Sequence, residues 1–387
     1  MELRFTPEQQ AFRAEVRAWM GAHVPERPLK TLEGREGFDQ HVAWERTLAS
    51  GNWGMVTWPE AYGGRGLDLI RWLIFEEEYY RAGAPLRANQ NGIFLLGPTI
   101  MEFGTDEQKA RFLTPMAKGE VMWAQAWSEP NAGSDMAAIR SRAVRDGDDY
   151  VVSGQKTWSS RAAFADWCFG LFRTEEGSER HKGLSFILVP LDAPGVTIRP
   201  IRQLHGETGF AEIFFDEVRV PAANRIAGEG QGWNVAMATA GFERGLMLRS
   251  PARFQAAAMR LVDLYRERAS GASPAAREAV TLAWNEAEAY ALNTYAVASR
   301  VMAGEKIGAE ASLNKILWSE LDRSLNRTAM ALLGAEAELR SLDGGAPNSW
   351  LENYIFSLSG PIYAGSNEIQ RNIVAERLLG LPRKGAG

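Results

Sequence analysis

The hydrophobic period of this 387-residue chain changes twice, and that change constrains its fold more than any single motif. Apolar residues recur at helical spacing up to about Lys118, alternate as in short strands from about Glu120 to Pro221, and return to helical spacing from Gly228 to Leu381. Thr6-Pro7-Glu8-Gln9 is a helix start: Thr caps, Pro takes the first helical position and Gln9 completes a capping box. Phe12, Val16 and Met20 follow at fourfold spacing as one buried stripe, and Thr105-Asp106-Glu107-Gln108 starts another helix with Phe112 and Leu113 inward. In the middle block Tyr150-Val151-Val152-Ser153-Gly154 enters a tight turn. The apolar runs Trp167 to Phe172, Leu184 to Val189 and Ile213 to Phe215 then read as short strands bounded by Gly, Pro and Asp. The expected fold class is α+β and multidomain: an N-terminal helical domain over 1–119, a middle antiparallel β-sandwich or barrel over 120–228, and a C-terminal helical bundle over 229–387.

Composition removes several function classes. A formal charge of -5 gives no reason to expect nucleic acid. No run approaches the roughly 18 to 20 apolar residues that span a bilayer, and the charged N-terminus reads as an amphipathic helix, not a signal peptide. A cytoplasmic protein with no membrane association is expected. Four scattered histidines without i, i+4 pairing and one cysteine predict no metal site, and Cys168, between Trp167 and Phe169, reads as core. The glycine-rich stretch Trp58 to Gly66 reads as an ordinary turn, since no strand precedes it. Ser250-Pro251 has two readings, a cap with Pro opening a new helix or a kink in a continuous one.

Four segments carry the chemistry. They are Trp123-Ala124-Gln125-Ala126-Trp127-Ser128-Glu129-Pro130-Asn131-Ala132-Gly133-Ser134-Asp135, Gly154-Gln155-Lys156-Thr157-Trp158-Ser159-Ser160, the passage Phe214 to Pro221 leading through Gly230-Gln231-Gly232-Trp233 to Phe242-Glu243-Arg244, and Pro361-Ile362-Tyr363-Ala364-Gly365-Ser366-Asn367-Glu368-Ile369-Gln370-Arg371. In order and over nearly the whole length, they resemble the acyl-CoA dehydrogenase family. The first resembles Thr-Glu-Pro-x-Ala-Gly-Ser-Asp with Ser128 in place of Thr, and the second resembles Gly-x-Lys-x-Trp-Ile-Thr.

The resemblance implies FAD as cofactor and an acyl-CoA as substrate. Gln125, Trp127 and Ser128 would meet the polar edge of the flavin, Trp158 its face, and Ser160 the region of N5, while Ser134 would approach phosphate and thioester tail. In most members the C-terminal motif reads Ile-Tyr-Glu-Gly-Thr and its Glu removes the substrate α-proton, but here that position is Ala364. A minority subgroup carries the base immediately before the Arg of the central helix, where this chain has Glu243. The resemblance therefore implies proton removal by Glu243, hydride transfer to flavin N5 and release of a trans-2-enoyl-CoA, with electrons leaving through an electron-transferring flavoprotein. Arg244 would point toward CoA, the main-chain N–H of Ala364 would bind the thioester oxygen, and Ser366 and Glu368 would contact FAD.

Two family elements that hold the ADP half of FAD across a subunit boundary are eroded. Glu267-Arg268-Ala269-Ser270-Gly271-Ala272 lacks the Phe of Arg-x-x-Phe-Gly, and Ala331-Leu332-Leu333-Gly334-Ala335 lacks the Gln of Gln-x-x-Gly-Gly. An oligomer is expected, dimeric or tetrameric, with a paralogous partner supplying the missing contacts as in the heteromeric α2β2 members. Two alternatives stay open on the same fold: a flavin oxidase or monooxygenase, and a non-catalytic subunit.

Overall fold

A computed structural model describes residues 4–244, 249–268, 271, 273–305, 307–341 and 348–382, the side chains of Glu243 and Arg244 excepted. Its internal contacts divide the chain into two units. One holds Met1–Ala22, Asp68–Ala84 and Arg244–Gly387, and the other His23–Leu67 and Pro85–Glu243.

The first unit is helical: α1 (Pro7–His23), α3 (Leu69–Arg81), α7 (Pro251–Glu267), α8 (Pro274–Met302), α9 (Glu310–Leu333), α10 (Ser349–Ser357) and α11 (Asn367–Ile373). At the start of α1 the Thr6 hydroxyl accepts from the Gln9 N–H (3.3 Å) and the Gln9 side chain accepts from the Thr6 N–H (2.9 Å), the expected capping box. Phe12, Val16 and Met20 are buried. Arg13 binds Glu77 (2.6 Å) and Glu78 (3.0 Å), Arg17 also binds Glu78 (2.9 Å), and the Tyr295 hydroxyl of α8 donates to Glu77. These bonds join α1 to α3 and α3 to α8. Ser250 resolves into a cap: its hydroxyl accepts from the Ala252 N–H (3.3 Å) and Pro251 opens α7, where its missing donor costs nothing. Phe254, Leu261, Ala283, Tyr290, Trp318 and Leu325 form the core of α7 to α9.

The second unit contains α2 (Arg35–Ser50), α4 (Gly97–Phe103), α5 (Asp106–Ala117), strands β1 (Trp123–Ala126), β2 (Arg142–Asp146), β3 (Asp149–Ser160), β4 (Trp167–Arg173), β5 (Leu184–Pro190), β6 (Val196–Ile201), β7 (Phe210–Pro221) and β8 (Arg225–Ile226), and α6 (Gly232–Arg244). The Thr105 box opens α5, with Phe112 and Leu113 buried as expected. The strands form one sheet in the order β6-β7-β3-β2-β4-β5-β8, with β1 also on β4. Pairing is mainly antiparallel; β1 and β2 each run parallel to β4. Residues from six strands, among them Ala124, Ala143, Val152, Cys168, Ile187 and Ile213, enclose one apolar core. Burial pushes the Cys168 thiol up to about 12.

Two segments repay a closer look. The Trp58 to Gly66 stretch closes on itself, with the Gly64 N–H donating to Pro59 and the Gly66 N–H to Trp58, which is the expected ordinary turn. The tight turn expected at Gly154 does not form. β3 runs on to Ser160 against β7, with register shifts between Val152 and Gly154 and between Lys156 and Ser159. At the first irregularity β7 carries the extra residue, three steps from Val218 to Phe215 against two from Val152 to Gly154, with Glu217 at a φ of 51°. Gly154, at a φ of 145°, packs so close to Ser141 that a Cβ would lie 2.3 Å from its Oγ and 2.7 Å from its Cα. The glycine thus marks a close approach of Ser141 within a continuous strand, opposite a bulge in β7. Gly154→Ala is expected to cost about 1 to 3 kcal/mol through overpacking, read as a lower urea midpoint at unchanged slope.

No described helix is long and apolar enough to cross a membrane, and no group of three or more His, Cys, Asp or Glu that could hold a metal occurs among the described residues.

Candidate active site

Gln125, Trp127, Ser128, Ser134, Trp158, Ser160 and Glu243 lie in the second unit. Gln125 sits in the middle of β1, half-buried, and the chain leaves the strand through Trp127 and Ser128. Trp127 is buried with its edge toward Phe169, ring centroids 6.3 Å apart, and its indole N–H has no partner among the described residues. The Ser128 carbonyl accepts from the Thr157 N–H (2.9 Å), so the end of β1 is tied to the second irregularity of β3.

At that irregularity Trp158 adopts a φ of 58°. The alternation of the strand changes phase here: Lys156 and Thr157 are buried in succession, so Trp158 is left 60% exposed between buried Thr157 and Ser159. Its ring stands edge-to-face with Phe210, centroids 6.2 Å apart. Ser159 is fully buried with its hydroxyl unpartnered among the described residues, and half-buried Ser160 ends the strand opposite Phe210. An outward tryptophan on a left-handed backbone position thus stands beside a buried hydroxyl and an indole N–H that have no partner among the described residues.

Behind this arrangement stand two residues that sequence reasoning passed over. The Lys156 ammonium, wholly buried, donates to Glu129 (2.9 Å), to the Trp127 carbonyl (3.3 Å) and to the Leu171 carbonyl (2.7 Å). The Glu129 carboxylate accepts in addition from the N–H groups of Arg140 (2.6 Å) and Ser141 (2.9 Å). Burial alone would raise the Glu129 carboxyl, but the Lys156 charge and the backbone donors outweigh it and hold it below its ordinary value. Burial pushes the Lys156 ammonium down, with Glu129 opposing. A signal for the pair existed: Lys156 falls in step with inward-facing Tyr150 and Val152, and a buried lysine requires an acid.

Between Glu129 and Arg140 runs the loop that carries Gly133 and Ser134, both exposed. A Cβ at Gly133 would meet nothing within 4 Å, and Asp135 beside it is held by both terminal nitrogens of Arg180 at 2.8 Å.

Ala364, Ser366 and Glu368 lie in the first unit. Ala364 and Gly365 are consecutive left-handed residues, φ 57° and 78°. No hydrogen bond among the described residues takes up the Ala364 N–H. Ser366 caps α11 through the Ile369 N–H (3.4 Å), and next to it buried Asn367 accepts from Lys315 (2.7 Å) and Ser319 (3.1 Å) and donates to Glu320 (2.9 Å). Asn367, also unforeseen, thereby anchors the motif on α9. The Glu368 carboxyl is held below its ordinary range by its own backbone N–H, with Ser366 assisting. Because alanine is strained in this region, Ala364→Gly is expected to raise stability by up to about 1 kcal/mol, checked by the thermal midpoint of the flavin-free protein.

Glu243 and Arg244 end α6, and their side chains lie outside the described residues, as do Ala269, Ser270 and Ala272 of one eroded element. Arg268 of that element pairs through both terminal nitrogens with Glu336 (2.7 and 2.5 Å), two residues beyond Gly334 of the other eroded element. The two elements therefore meet within the chain.

The exposed Trp158, the unpartnered Trp127 and Ser159 groups and the open backbone at Gly133 fit the flavin implied by the sequence. Comparison with known proteins agrees. Three domain models of the acyl-CoA dehydrogenase family match, N-terminal at 6–120, middle at 124–218 and C-terminal at 230–379. The chain is 42% identical to the acyl-CoA dehydrogenase IpdE1 of Mycobacterium tuberculosis over 98% of its own length and 99% of that protein, and 33% identical to FadE26 of the same organism over 99% of both. Among solved structures it resembles the Tcur3481-Tcur3483 steroid ACAD, with a TM-score of 0.88 and 29% identity over 99% of this chain and 100% of that one. It also resembles the ChsE4-ChsE5 complex from Mycobacterium tuberculosis, with a TM-score of 0.85 and 32% identity over the full length of both chains. A helical N-terminal part, a middle sheet domain and a helical C-terminal part are the family's architecture: the chain belongs to the acyl-CoA dehydrogenases, FAD-dependent oxidoreductases.

Proposed function

We propose that this chain is the base-carrying subunit of a heteromeric acyl-CoA dehydrogenase that oxidises a bulky, steroid-derived acyl-CoA to its trans-2-enoyl-CoA. The observation that carries the reading is the junction of Ser128 with Thr157, which joins a polar edge and an outward Trp158 in one surface. FAD, when bound, supplies the hydride acceptor. Glu243 takes the α-proton onto its carboxylate, and the free Ala364 N–H donates to the thioester oxygen as negative charge develops there. Gln125, Trp127 and Ser128 serve the flavin edge, Trp158 its face and Ser160 the N5 region. Ser366 and Glu368 contact FAD from the C-terminal motif, while Ser134 and Arg244 meet CoA.

The partner follows from the eroded adenine elements and from Arg268, whose terminal nitrogens are engaged by Glu336 within the chain. The names of the structural relatives, a steroid ACAD and a two-protein complex, support a paralogous partner and a polycyclic acyl group. Electrons leave to an electron-transferring flavoprotein in a cytoplasmic β-oxidation step. The ranges of the family matches support the three-domain division 1–119, 120–228 and 229–387.

Purified alone, the chain is expected to hold FAD substoichiometrically; co-expressed with its paralogue it fills with FAD, and anaerobic addition of a steroid-derived acyl-CoA bleaches the flavin. Stoichiometric FAD and full activity in the isolated chain would remove the partner. Bleaching by no acyl-CoA would remove the reaction.

A further inference from the structure

We propose that the buried Glu129–Lys156 pair is a positioning device that holds the two flavin-facing segments, Gln125 to Ser128 and Trp158 to Ser160, in one fixed mutual geometry. The proposal rests on the flavin reading given above and adds to it two residues that do not themselves face the ring. The Lys156 ammonium donates to two groups on the segment that follows β1, the Glu129 carboxylate and the Trp127 carbonyl, and to the Leu171 carbonyl on β4. The bond to the Trp127 carbonyl holds the peptide group immediately before Ser128. Lys156 is also the last residue in register before the strand shifts, so the side chain that anchors β3 stands two residues from Trp158.

Glu129 extends the device. Its two oxygens accept the N–H groups of Arg140 and Ser141, closing the loop that carries Ser134, while its backbone pairs with Ala132 in both directions at 3.0 Å. One carboxylate thus sets the far end of the Ser134 loop and, through Lys156, the shift that turns Trp158 outward. Both charges are removed from solvent, with Glu129 9% and Lys156 0% exposed. Such pairs contribute little net stability relative to apolar replacements, whereas they do fix geometry. Here the fixed geometry is that of the ring site.

The test separates the two roles in the holoenzyme. Replacing both charges, Glu129→Gln with Lys156→Met, leaves no buried ion unpaired, so the flavin-free protein should melt close to the wild type. The same double variant should bind FAD at least about tenfold more weakly, equivalent to about 1.4 kcal/mol, with an altered visible circular dichroism of the bound flavin. Glu129→Asp keeps both charges and withdraws the carboxylate by one methylene. It is the second arm should the double variant not fold, and it too should weaken FAD and change the flavin spectrum. Variants whose FAD affinity and flavin dichroism equal the wild type, whatever their melting point, would reduce the pair to a structural contact and overturn the proposal. A wild-type assembly that takes up no FAD would be a different failure, since it would remove the flavin surface before any variant was compared.

Discussion

Glu243→Gln is expected to slow flavin bleaching by saturating acyl-CoA about 10²- to 10⁴-fold while leaving the FAD content of the assembly unchanged. That factor corresponds to about 3 to 5.5 kcal/mol of transition-state stabilisation. The amide matches the carboxylate in shape and keeps a polar group at the end of α6, but it cannot accept the α-proton. Position 364 offers no substitute, because an alanine contributes only its backbone. The measurement is anaerobic stopped-flow at 450 nm, a wavelength at which oxidised flavins absorb. An unchanged bleaching rate would move the base elsewhere and reopen the reading of the chain as a non-catalytic subunit.

Removing one partner of the buried pair should have the largest effect on stability. Glu129→Ala leaves the Lys156 ammonium without its counter-charge and strips the Arg140 and Ser141 N–H groups of their acceptor, at an expected cost of about 3 to 5 kcal/mol in urea unfolding. The loss carries a pH signature. The folded Glu129 carboxyl lies below its ordinary value of 4.5, so between the two values the unfolded chain binds more protons and stability rises with pH. Its contribution is complete above the ordinary value and disappears as pH falls through the depressed one. Wild type should lose that increment on acidification below about pH 4.5 and Glu129→Ala should not, so the gap between them narrows in acid. A gap that stayed constant would assign the loss to packing.

What could be read ahead of the structure was mostly local. The capping boxes at Thr6 and Thr105, the Phe12-Val16-Met20 stripe and the burial of Cys168 each depend on a few neighbouring residues, and each is found. The Gly154 error has the same origin. A glycine after an apolar run signals a special position, but whether it is a turn or a close packing contact inside a continuous strand depends on Ser141, which faces it from β2's end of the sheet. Long-range partners were invisible for the same reason: the parallel pairing of β1 with β4, and the grouping of α1 and α3 with the C-terminal helices. In the site, family resemblance supplied the residues that would touch flavin and substrate. It did not supply Glu129, Lys156 or Asn367, which act on the backbone behind those residues; the inward phase of Lys156 was a signal for the first two, and Asn367 declares itself only through its contacts.

Cys168 offers a different use. It is the sole thiol of the chain, fully buried in the sheet core and held up to about 12, so in the native state it is neither accessible nor ionised. A thiol reagent can therefore modify this chain only when β4 separates from its neighbours. Labelling rate under native conditions becomes a clock for opening of the sheet, read at one atom without engineered probes, and FAD should slow that clock in proportion to its binding to the closed form.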